Sequence, residues 1–195
     1  MKINRFPVVF RKAIDLLNET ETSYILVGGL AAGLIGEPRV TNDADFIIHI
    51  NKKNLTTFLT TAERKGFKFD EKVARETFDT RGVFRLHHSQ LHIDFIKLSI
   101  GLEKSAFKRK RSIKIMQRQV YIPSPEDLIL LKLIAGRGRD LLDVENIFIR
   151  HWPRLDRGYL EEWAMKISDE AQDLAVWNRL EKLMESFKKK KEFNI

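Results

Sequence analysis

Apolar residues recur along the chain in two rhythms, one typical of α-helices and the other of β-strands. Helical spacing predicts helices over residues 6–19, 30–35 and 54–65. Short apolar or alternating runs predict strands over residues 24–27, 44–50, 83–88, 91–98 and 119–122. Only Ser89 and Gln90 join the third and fourth of these strands. Because so short a connection cannot make a parallel crossover, the two strands predict an antiparallel hairpin within a mixed sheet.

The pattern changes after Pro123, where strand-like runs give way to helices. Ser124-Pro125-Glu126-Asp127 has the composition of a helix start, with a capping serine, a proline in the first position and an acid in the third. Further helical patterns follow from residue 140 onward, over 155–167 and over 169–187. We therefore expect an α/β fold of the α+β type, with a mixed-sheet core flanked by helices at residues 1–122 and a helical C-terminal part at residues 123–195.

Three aspartates stand in two of the predicted strands. Asp43 and Asp45 are two positions apart at the start of the strand 44–50, so their side chains leave the same face of the sheet. In the strand 91–98, alternation sets Asp94 on the face opposite its apolar neighbours. If these two strands are neighbours, the three carboxylates converge.

Converging carboxylates repel one another, and a buried carboxylate is unfavourable unless it is paired or bound to a metal. Oxygen ligands in a chain without cysteine favour Mg²⁺ or Mn²⁺. Three carboxylates can hold two metal ions about 3.5–4 Å apart, which suits phosphoryl or nucleotidyl transfer. The alternatives are two solvated carboxylates at a strand start and an Asp94 held in a local hydrogen-bond network.

Gly28 and Gly29 separate a predicted strand from a predicted helix. Glycines in such a turn leave backbone N–H groups open to an anion at the helix N-terminus, which predicts a phosphate cradle. Two common phosphate-binding motifs are incomplete: Leu30 stands where a dinucleotide motif needs glycine, and Leu34-Ile35 replaces the Lys-Ser/Thr of a P-loop. A tight turn without a ligand is the alternative.

Charge is concentrated in one part of the chain. Thirty-five Lys and Arg against 27 Asp and Glu give a net charge of +8. The segment 104–118 holds seven basic residues and no acidic one, so the remainder has 28 basic against 27 acidic residues. Since a run of cations attracts phosphates, we predict an RNA-binding strip there. Its residues are Lys108, Arg109, Lys110 and Arg111. A solvated face beside the active site is the alternative.

Composition excludes several classes of protein. The 195 residues, 43% hydrophobic and 32% charged, indicate a globular chain rather than a disordered one. The absence of cysteine excludes disulfide scaffolds, thiolate zinc sites and cysteine nucleophiles, and it fits a reducing compartment. No apolar run approaches the roughly 18 residues of a membrane span, so we expect a cytoplasmic protein that does not act on membranes.

Three motifs follow one another along the chain: Val27-Gly28-Gly29, then Arg39-Val40-Thr41-Asn42-Asp43-Ala44-Asp45, then Ile93-Asp94-Phe95. Together they resemble the DNA-polymerase-β-like nucleotidyltransferase superfamily, whose signature is a glycine turn, an acid-x-acid pair shortly after it and a third acid on a later strand. Lys132 followed by Arg139-Asp140-x-x-Asp143 is similar to the abortive-infection branch of that superfamily, the toxins of type IV toxin–antitoxin pairs.

The resemblance implies roles for these residues. Asp43, Asp45 and Asp94 would hold Mg²⁺ or Mn²⁺, and Asp94 would also orient the acceptor hydroxyl. Gly28 and Gly29 would cradle the phosphates of a nucleoside triphosphate such as ATP. The other residues implied in nucleotide binding are Arg39, Thr41 and Lys132.

Four residues would support this site: Arg137, Arg139, Asp140 and Asp143. The last three are equally explained as a salt bridge that holds the Lys132 helix in place. Lys132 itself is equally explained as a lysine whose stem lies along the apolar face of its helix.

The predicted function is metal-dependent transfer of a nucleoside monophosphate from a nucleoside triphosphate to an acceptor hydroxyl, with release of pyrophosphate. The basic segment favours RNA as the acceptor, with tRNA among the candidates. The resemblance implies a toxin whose antitoxin partner is a separate protein. Two alternatives stay open: the same reaction on a small hydroxylated molecule such as an antibiotic, and a nucleotide- or RNA-binding relative without catalysis.

Overall fold

The computed structural model describes residues 6–192, with side chains described as far as residue 188. Its helices are α1 (Phe6–Glu19), α2 (Gly28–Ile35), α3 (Lys52–Arg64), α4 (Glu71–Arg81), α5 (Gly101–Arg109), α6 (Pro125–Ala135), α7 (Gly138–His151), α8 (Arg157–Ala171) and α9 (Ala175–Glu192). Its strands are β1 (Ser23–Val27), β2 (Asp43–His49), β3 (Val83–His88), β4 (Leu91–Lys97), β5 (Arg111–Ile115) and β6 (Arg118–Ile122). A short 3₁₀ turn, Trp152–Arg154, follows α7. The ends of the two predicted parts of the chain, residues 1–5 and 193–195, lie outside the described range.

Four strands form a mixed sheet in the order β1-β2-β4-β3. β2 runs parallel to β4, while β1 and β3 are antiparallel to their neighbours. β3 and β4 form the predicted hairpin, in which His88 pairs with Leu91 across the Ser89–Gln90 turn. β5 and β6 form a separate antiparallel hairpin. The predicted α+β fold, a mixed sheet with flanking helices and helices after residue 123, is confirmed.

The sequence patterns did not reveal α4, α5 and β5. α4 buries only Ala74 and Phe78, so it lacks the apolar stripe that identifies a helix. Its ends define it instead: the Asp70 side chain accepts a hydrogen bond from the Val73 N–H, and Gly82 ends the helix with a φ of +67°. α5 and β5 lie partly or wholly in the basic segment, where charged side chains mask the apolar positions.

One face of the sheet carries a row of aromatic rings. Phe46 of β2 pairs with Phe95 of β4, which pairs with Phe84 of β3. The ring centroids are 5.8 Å and 5.3 Å apart, and all three side chains are buried. Phe10 of α1 and Phe58 of α3 pack against the row. Since burial of each such ring stabilises the fold by about 1.5–3 kcal/mol, the row fixes the register of the three strands.

The opposite face of the same strands is divided into two ends. At one end, Ile47 packs with Ala106 of α5 in a smaller apolar cluster. At the other end lie the sequence neighbours of the three stacked phenylalanines. Their side chains point to this face because side chains alternate along a strand. They are Asp45, Asp94 and Arg85. The register that buries the phenylalanines therefore also aligns these charged side chains.

The main hydrophobic core extends through both predicted parts of the chain. It includes Phe10 and Phe95 as well as Leu128, Ile147 and Leu180. Residues on both sides of position 122 are thus packed into one core, and a domain boundary there stays a prediction. Within residues 6–192, no helix has the length and apolar composition needed to cross a membrane.

Candidate active site

The three predicted aspartates lie together on the polar end of the sheet, and we call Asp43, Asp45 and Asp94 the aspartate group. Asp45 of β2 pairs in register with Asp94 of β4, and Asp43 stands two residues earlier on the same face. They line a cavity of about 430 Å³. Its other lining residues are Gly28, Gly29, Arg39, Arg85, His92, Lys132, Arg137, Arg139 and Asp140. The parallel pairing of β2 with β4 is what brings the predicted motifs together.

The glycine turn forms one wall of this cavity. α2 begins at Gly28, whose φ of +66° lies in the left-handed region. A side chain at Gly28 would overlap the Asp45 carboxylate, and a Cβ at Gly29 would lie 2.5 Å from the guanidinium of Arg39. Gly28 requires glycine because of its left-handed φ and the adjacent Asp45 carboxylate, whereas a side chain at Gly29 would have to displace the Arg39 guanidinium. The N-terminus of α2 therefore lies at the cavity, as the predicted phosphate cradle requires.

Asp45 lies in an electrostatically unfavourable position. Burial raises its pKa to about 6, and the nearby charges of Asp94 and Asp43 add to the rise. Lys132 and Arg137 act in the opposite direction without cancelling it. Carboxylates with a pKa raised in this way are common in functional sites, where a bound cation or proton relieves the repulsion.

Arg85 is the residue of this site that the sequence analysis missed. Its guanidinium donates two hydrogen bonds to Asp94, from Nε to Oδ1 at 2.6 Å and from Nη2 to Oδ2 at 2.7 Å. The signal was present in the sequence, because a two-residue turn at Ser89 and Gln90 sets Arg85 opposite Asp94 in the hairpin. Asp94 is thus both a member of the aspartate group and a partner in a local hydrogen-bond network.

The aspartate group supplies the oxygen donors that a hard divalent cation prefers. Among residues 6–192, however, no three Asp, Glu, His or Cys side chains are grouped so that they could hold a metal ion. Asp94 gives both oxygens to Arg85, and Asp43 accepts a hydrogen bond from the Thr41 hydroxyl. The donors fit Mg²⁺ or Mn²⁺ in their chemistry, while Asp94 and Asp43 are engaged by Arg85 and Thr41. Metal binding stays a prediction.

Beside the aspartate group, five charged residues of alternating sign form what we call the charge chain. Buried Lys132 donates a hydrogen bond to Asp140 at 2.9 Å and lies 2.7 Å from Asp143. Arg39 donates to both oxygens of Asp143, at 2.9 and 3.1 Å, and Arg137 donates to Asp140 at 2.6 Å. The chain joins α6, α7 and the segment before β2. Asp140 and Asp143 therefore form the salt bridge that was the alternative explanation for them.

Arg139 lies outside the charge chain. It is exposed, and it lines both the main cavity and an adjoining cavity of about 270 Å³. Val40 and Thr41 also line the adjoining cavity, next to Gln90 and Leu91 of the hairpin. Thr41 thus lies beside the aspartate group, with its hydroxyl engaged by Asp43.

A glycine turn, three acids on adjacent strands and flanking cations agree with the superfamily that the sequence resembles. The sequence model of a family described as nucleotidyltransferases of unknown function, DUF6036, matches residues 4–192. The chain belongs to the DUF6036 nucleotidyltransferase family. The predicted transferase class is therefore confirmed, whereas the toxin–antitoxin branch stays a prediction. A comparison with curated proteins gave no match.

Solved structures similar to this DUF6036 nucleotidyltransferase are distant from it in sequence. The antibiotic-resistance factor ANT(2'')-Ia is 13% identical, with 73% of this chain and 82% of that chain covered and a TM-score of 0.53. The lincosamide antibiotic adenylyltransferase LnuA, with lincomycin bound, is 14% identical, with 71% and 93% covered and a TM-score of 0.49. A nucleotidyltransferase-like antigenic protein from Paracoccidioides brasiliensis is 19% identical, with 76% and 77% covered and a TM-score of 0.49. The similarity to ANT(2'')-Ia shows a common fold.

Arg109, predicted to bind RNA, has a structural role in the DUF6036 chain. Its guanidinium donates to Glu126 at 3.1 Å, lies 3.2 Å from an oxygen of the buried Asp127 and stacks at 3.8 Å on the ring of Tyr159. Tyr159 in turn donates its hydroxyl hydrogen to Asp127 at 2.5 Å. Because two buried carboxylates need a cation, Arg109 is fixed between α5, α6 and α8. Its role as an RNA contact stays a prediction.

The other residues of the predicted strip in the DUF6036 chain differ in exposure. Lys108 and Arg111 are exposed, whereas Lys110 is partly buried, with its Nζ 4.3 Å from the ring centroid of Tyr121. Desolvation lowers the pKa of Lys110. All four strip residues lie outside the lining of the main cavity. The segment passes from the end of α5 into the hairpin of β5 and β6.

Proposed function

We propose that this protein transfers a nucleoside monophosphate from a nucleoside triphosphate to an acceptor hydroxyl. One observation carries the proposal: Asp45 and Asp94 pair across parallel strands, with Asp43 beside them and the Gly28–Gly29 turn on the same cavity. Carboxylates that repel one another beside a helix N-terminus suit the binding of a metal–triphosphate complex.

The chemistry follows from these positions. The acceptor oxygen attacks the α-phosphorus, a new phosphorus–oxygen bond forms, the bond to the β-phosphate oxygen breaks and pyrophosphate leaves. Asp43, Asp45 and Asp94 would hold a divalent cation, which when bound neutralises charge on the phosphates. Asp94 orients the acceptor hydroxyl and accepts its proton, while Gly28 and Gly29 leave room for the phosphates.

We assign Arg139 to the leaving pyrophosphate. The two cations that the resemblance implies in nucleotide binding, Lys132 and Arg39, are both held by Asp143 in the charge chain. Arg139 is exposed where the two cavities meet. A guanidinium there can bind phosphate oxygens without leaving a buried carboxylate unpaired.

The reaction is tested with α-phosphate-labelled nucleoside triphosphates, Mg²⁺ and two kinds of acceptor, total RNA and a panel of hydroxylated antibiotics. The wild type should label one kind of acceptor and release pyrophosphate, whereas Asp45→Asn should do neither. Asp79→Asn, which changes an exposed aspartate paired with Lys52, is the matched control and should behave as the wild type. Equal labelling by Asp45→Asn and the wild type would contradict the proposal, and nucleotide binding without transfer would favour a non-catalytic relative.

RNA is the acceptor that we propose, on the strength of the cations that stay exposed in the segment 104–118. These are Lys104, Lys108, Arg111 and Lys114. Lys108→Glu combined with Arg111→Glu should weaken RNA labelling and reduce its dependence on salt. Lys53→Glu, at an exposed lysine of α3, is the control. The toxin role implied by the resemblance is tested separately: if the protein is a toxin that acts on RNA, expression of the wild type but not of Asp45→Asn should arrest growth.

A small hydroxylated molecule is the second candidate acceptor. The proposal is supported by the common fold with ANT(2'')-Ia, an antibiotic-resistance factor. The adjoining cavity of about 270 Å³ beside Arg139 offers room for part of such a molecule. Labelling of an antibiotic but not of RNA would decide for this candidate.

A further inference from the structure

Arg85 lies in the candidate site, and the superfamily motifs give it no role. It stands on β3, one strand beyond Asp94, and lines the same cavity as the aspartate group. Its guanidinium engages both carboxylate oxygens of Asp94, at 2.6 and 2.7 Å. The side chain of Arg85 is 50% exposed and that of Asp94 is 18% exposed. The guanidinium therefore has open cavity on one side and a largely covered carboxylate on the other.

The fold confines Arg85 to this position. The hairpin register sets it opposite Asp94, while its neighbours Phe84 and Leu86 are buried on the other face of β3. A shift of one residue would expose both apolar side chains and bury the charge, so the guanidinium cannot move far from the aspartates. The hydrogen bond to Asp94 raises the pKa of Arg85, and the negative charge of Asp45 adds to the rise.

Arg85 and a divalent cation cannot both make full use of Asp94. A carboxylate in a two-pronged pairing with arginine has both oxygens directed at the guanidinium. A cation held by Asp43 and Asp45 would also be repelled by the positive charge of Arg85, which lies within hydrogen-bond distance of the third ligand. One of the two positive groups must give way.

We infer that Arg85 competes with the divalent cation for Asp94 and contacts the nucleotide once the cation is bound. The inference rests on the proposed function, in which Asp94 is the third ligand. Without the cation, Arg85 holds Asp94 in place and offsets part of the charge of the aspartate group. With the cation present, Asp94 turns away from Arg85, and the freed guanidinium binds a phosphate of the nucleotide from its place on the cavity wall.

Two effects of opposite sign follow for Arg85→Gln. The substitution frees Asp94, so the affinity for the divalent cation rises. It also removes a donor to phosphate, so the KM for the nucleoside triphosphate rises. A residue that only supported the fold would not strengthen cation binding while weakening nucleotide binding.

Binding of Mn²⁺ to the full chain without nucleotide, followed through the paramagnetic resonance of the free ion, measures the first effect apart from catalysis. Arg85→Gln should bind Mn²⁺ about 5- to 150-fold more tightly than the wild type, the usual range of coupling between two sites. Arg85→Lys keeps the positive charge but loses the paired N–H donors of the guanidinium, so its Mn²⁺ affinity should lie between those of the wild type and Arg85→Gln. Arg75→Gln, which breaks an exposed pair with Glu71, is the matched control and should bind as the wild type.

Asp94→Asn separates competition from a general change in charge. In that background Arg85→Gln should raise Mn²⁺ affinity much less, because the shared ligand is gone; an equal rise in both backgrounds overturns the inference.

Unchanged or weaker Mn²⁺ binding by Arg85→Gln alone, in a variant with native circular dichroism, also overturns it. If the wild type transfers nucleotide but Arg85→Gln binds Mn²⁺ with wild-type affinity, the inference about Arg85 is wrong and the proposed function still holds. If Arg85→Gln binds Mn²⁺ more tightly as expected but the wild type transfers no nucleotide, the proposed function is wrong and the inference about cation binding still holds.

Discussion

Two groups of carboxylates lie at or beside one cavity, and the protein neutralises their charges to different extents. In the charge chain, burial acts to raise the pKa of Asp140, but hydrogen bonds from Arg137 and Lys132 lower it below its ordinary value. In the aspartate group, burial and neighbouring carboxylates raise the pKa of Asp45 to about 6. The first group has its cations supplied by the protein, and the second is short of them.

This difference indicates that the charge chain supports the structure and that the aspartate group is available for chemistry. The charge chain is complete as soon as α6, α7 and the segment before β2 have packed, so it contributes to the rigidity of the cavity wall. Among the described residues, the aspartate group has only Arg85 as a cation in direct contact, through Asp94. Unrelieved repulsion lowers the stability of the fold and creates affinity for a cation, which is the usual sign of a site kept for function.

The largest effect is expected from Asp45→Asn. The substitution keeps the shape of the side chain but removes a charged ligand, so kcat/KM for nucleotidyl transfer should fall about a thousandfold, or about 4 kcal/mol. The free energy of unfolding in metal-free buffer should rise in the same variant, because the repulsion is relieved. Pyrophosphate release and urea denaturation measure the two effects. Loss of stability together with activity would show that Asp45 belongs to the scaffold.

Lys132→Met tests the contribution of the charge chain to the stability of the fold. Lys132 is buried between Asp140 and Asp143, so its removal leaves each carboxylate one cation short. We expect the free energy of unfolding to fall by about 3 kcal/mol. Lys182→Met, at an exposed lysine of α9, is the control. A change in Lys132→Met no larger than in the control would show that the charge chain adds little to the scaffold.

The pH dependence of stability should also distinguish the two groups. The folded-state pKa of Asp45 is raised from 3.8 to about 6, so ionisation is less favourable in the folded protein than in the unfolded one. In metal-free buffer the wild type should therefore lose stability as pH rises from about 4 to about 6. Relative to Asp45→Asn, we expect a loss of about 1–2 kcal/mol, since partial exposure reduces the full effect.

Urea titrations of both proteins at each pH measure this difference, which cancels the contributions of the other carboxyl groups. Saturating Mg²⁺ at pH 7 should stabilise the wild type more than Asp45→Asn, because the cation binds the folded aspartate group. A constant difference between pH 4 and 7 would mean that Asp45 is not strained in the folded protein.

Part of this comparison could be predicted from the sequence. Alternation fixed the faces of Asp43, Asp45 and Asp94, because neighbouring apolar residues had to point to the core. The pairing of Asp45 with Asp94 depended on which strands are neighbours, and the resemblance rather than the pattern implied that. The pairing of Arg85 with Asp94 could have been predicted, since a two-residue turn fixes the residue opposite Asp94.

Other features depend on packing between elements, which residue spacing does not determine. The partners of Lys132 follow from the rotation of α7 against α6, so the salt bridge and the phosphate contact could not be distinguished in advance. Arg109 looked like part of a basic strip because residues close in sequence were treated as one surface. The turn from α5 into β5 instead directs Arg109 to the buried Asp127 and leaves Lys108 exposed.

The smallest effect is expected at the open end of the charge chain. Arg137 donates to Asp140 at 2.6 Å, but its side chain is 78% exposed, so water can replace most of what the contact provides. Arg137→Gln should lower the free energy of unfolding by about 0.5 kcal/mol, several times less than Lys132→Met in the same urea titration. Because Arg137 also holds down the pKa of Asp45, the loss of stability with pH should extend to higher pH in this variant. If Arg137→Gln is as damaging as Lys132→Met, the charge chain is one cooperative network that includes its exposed end.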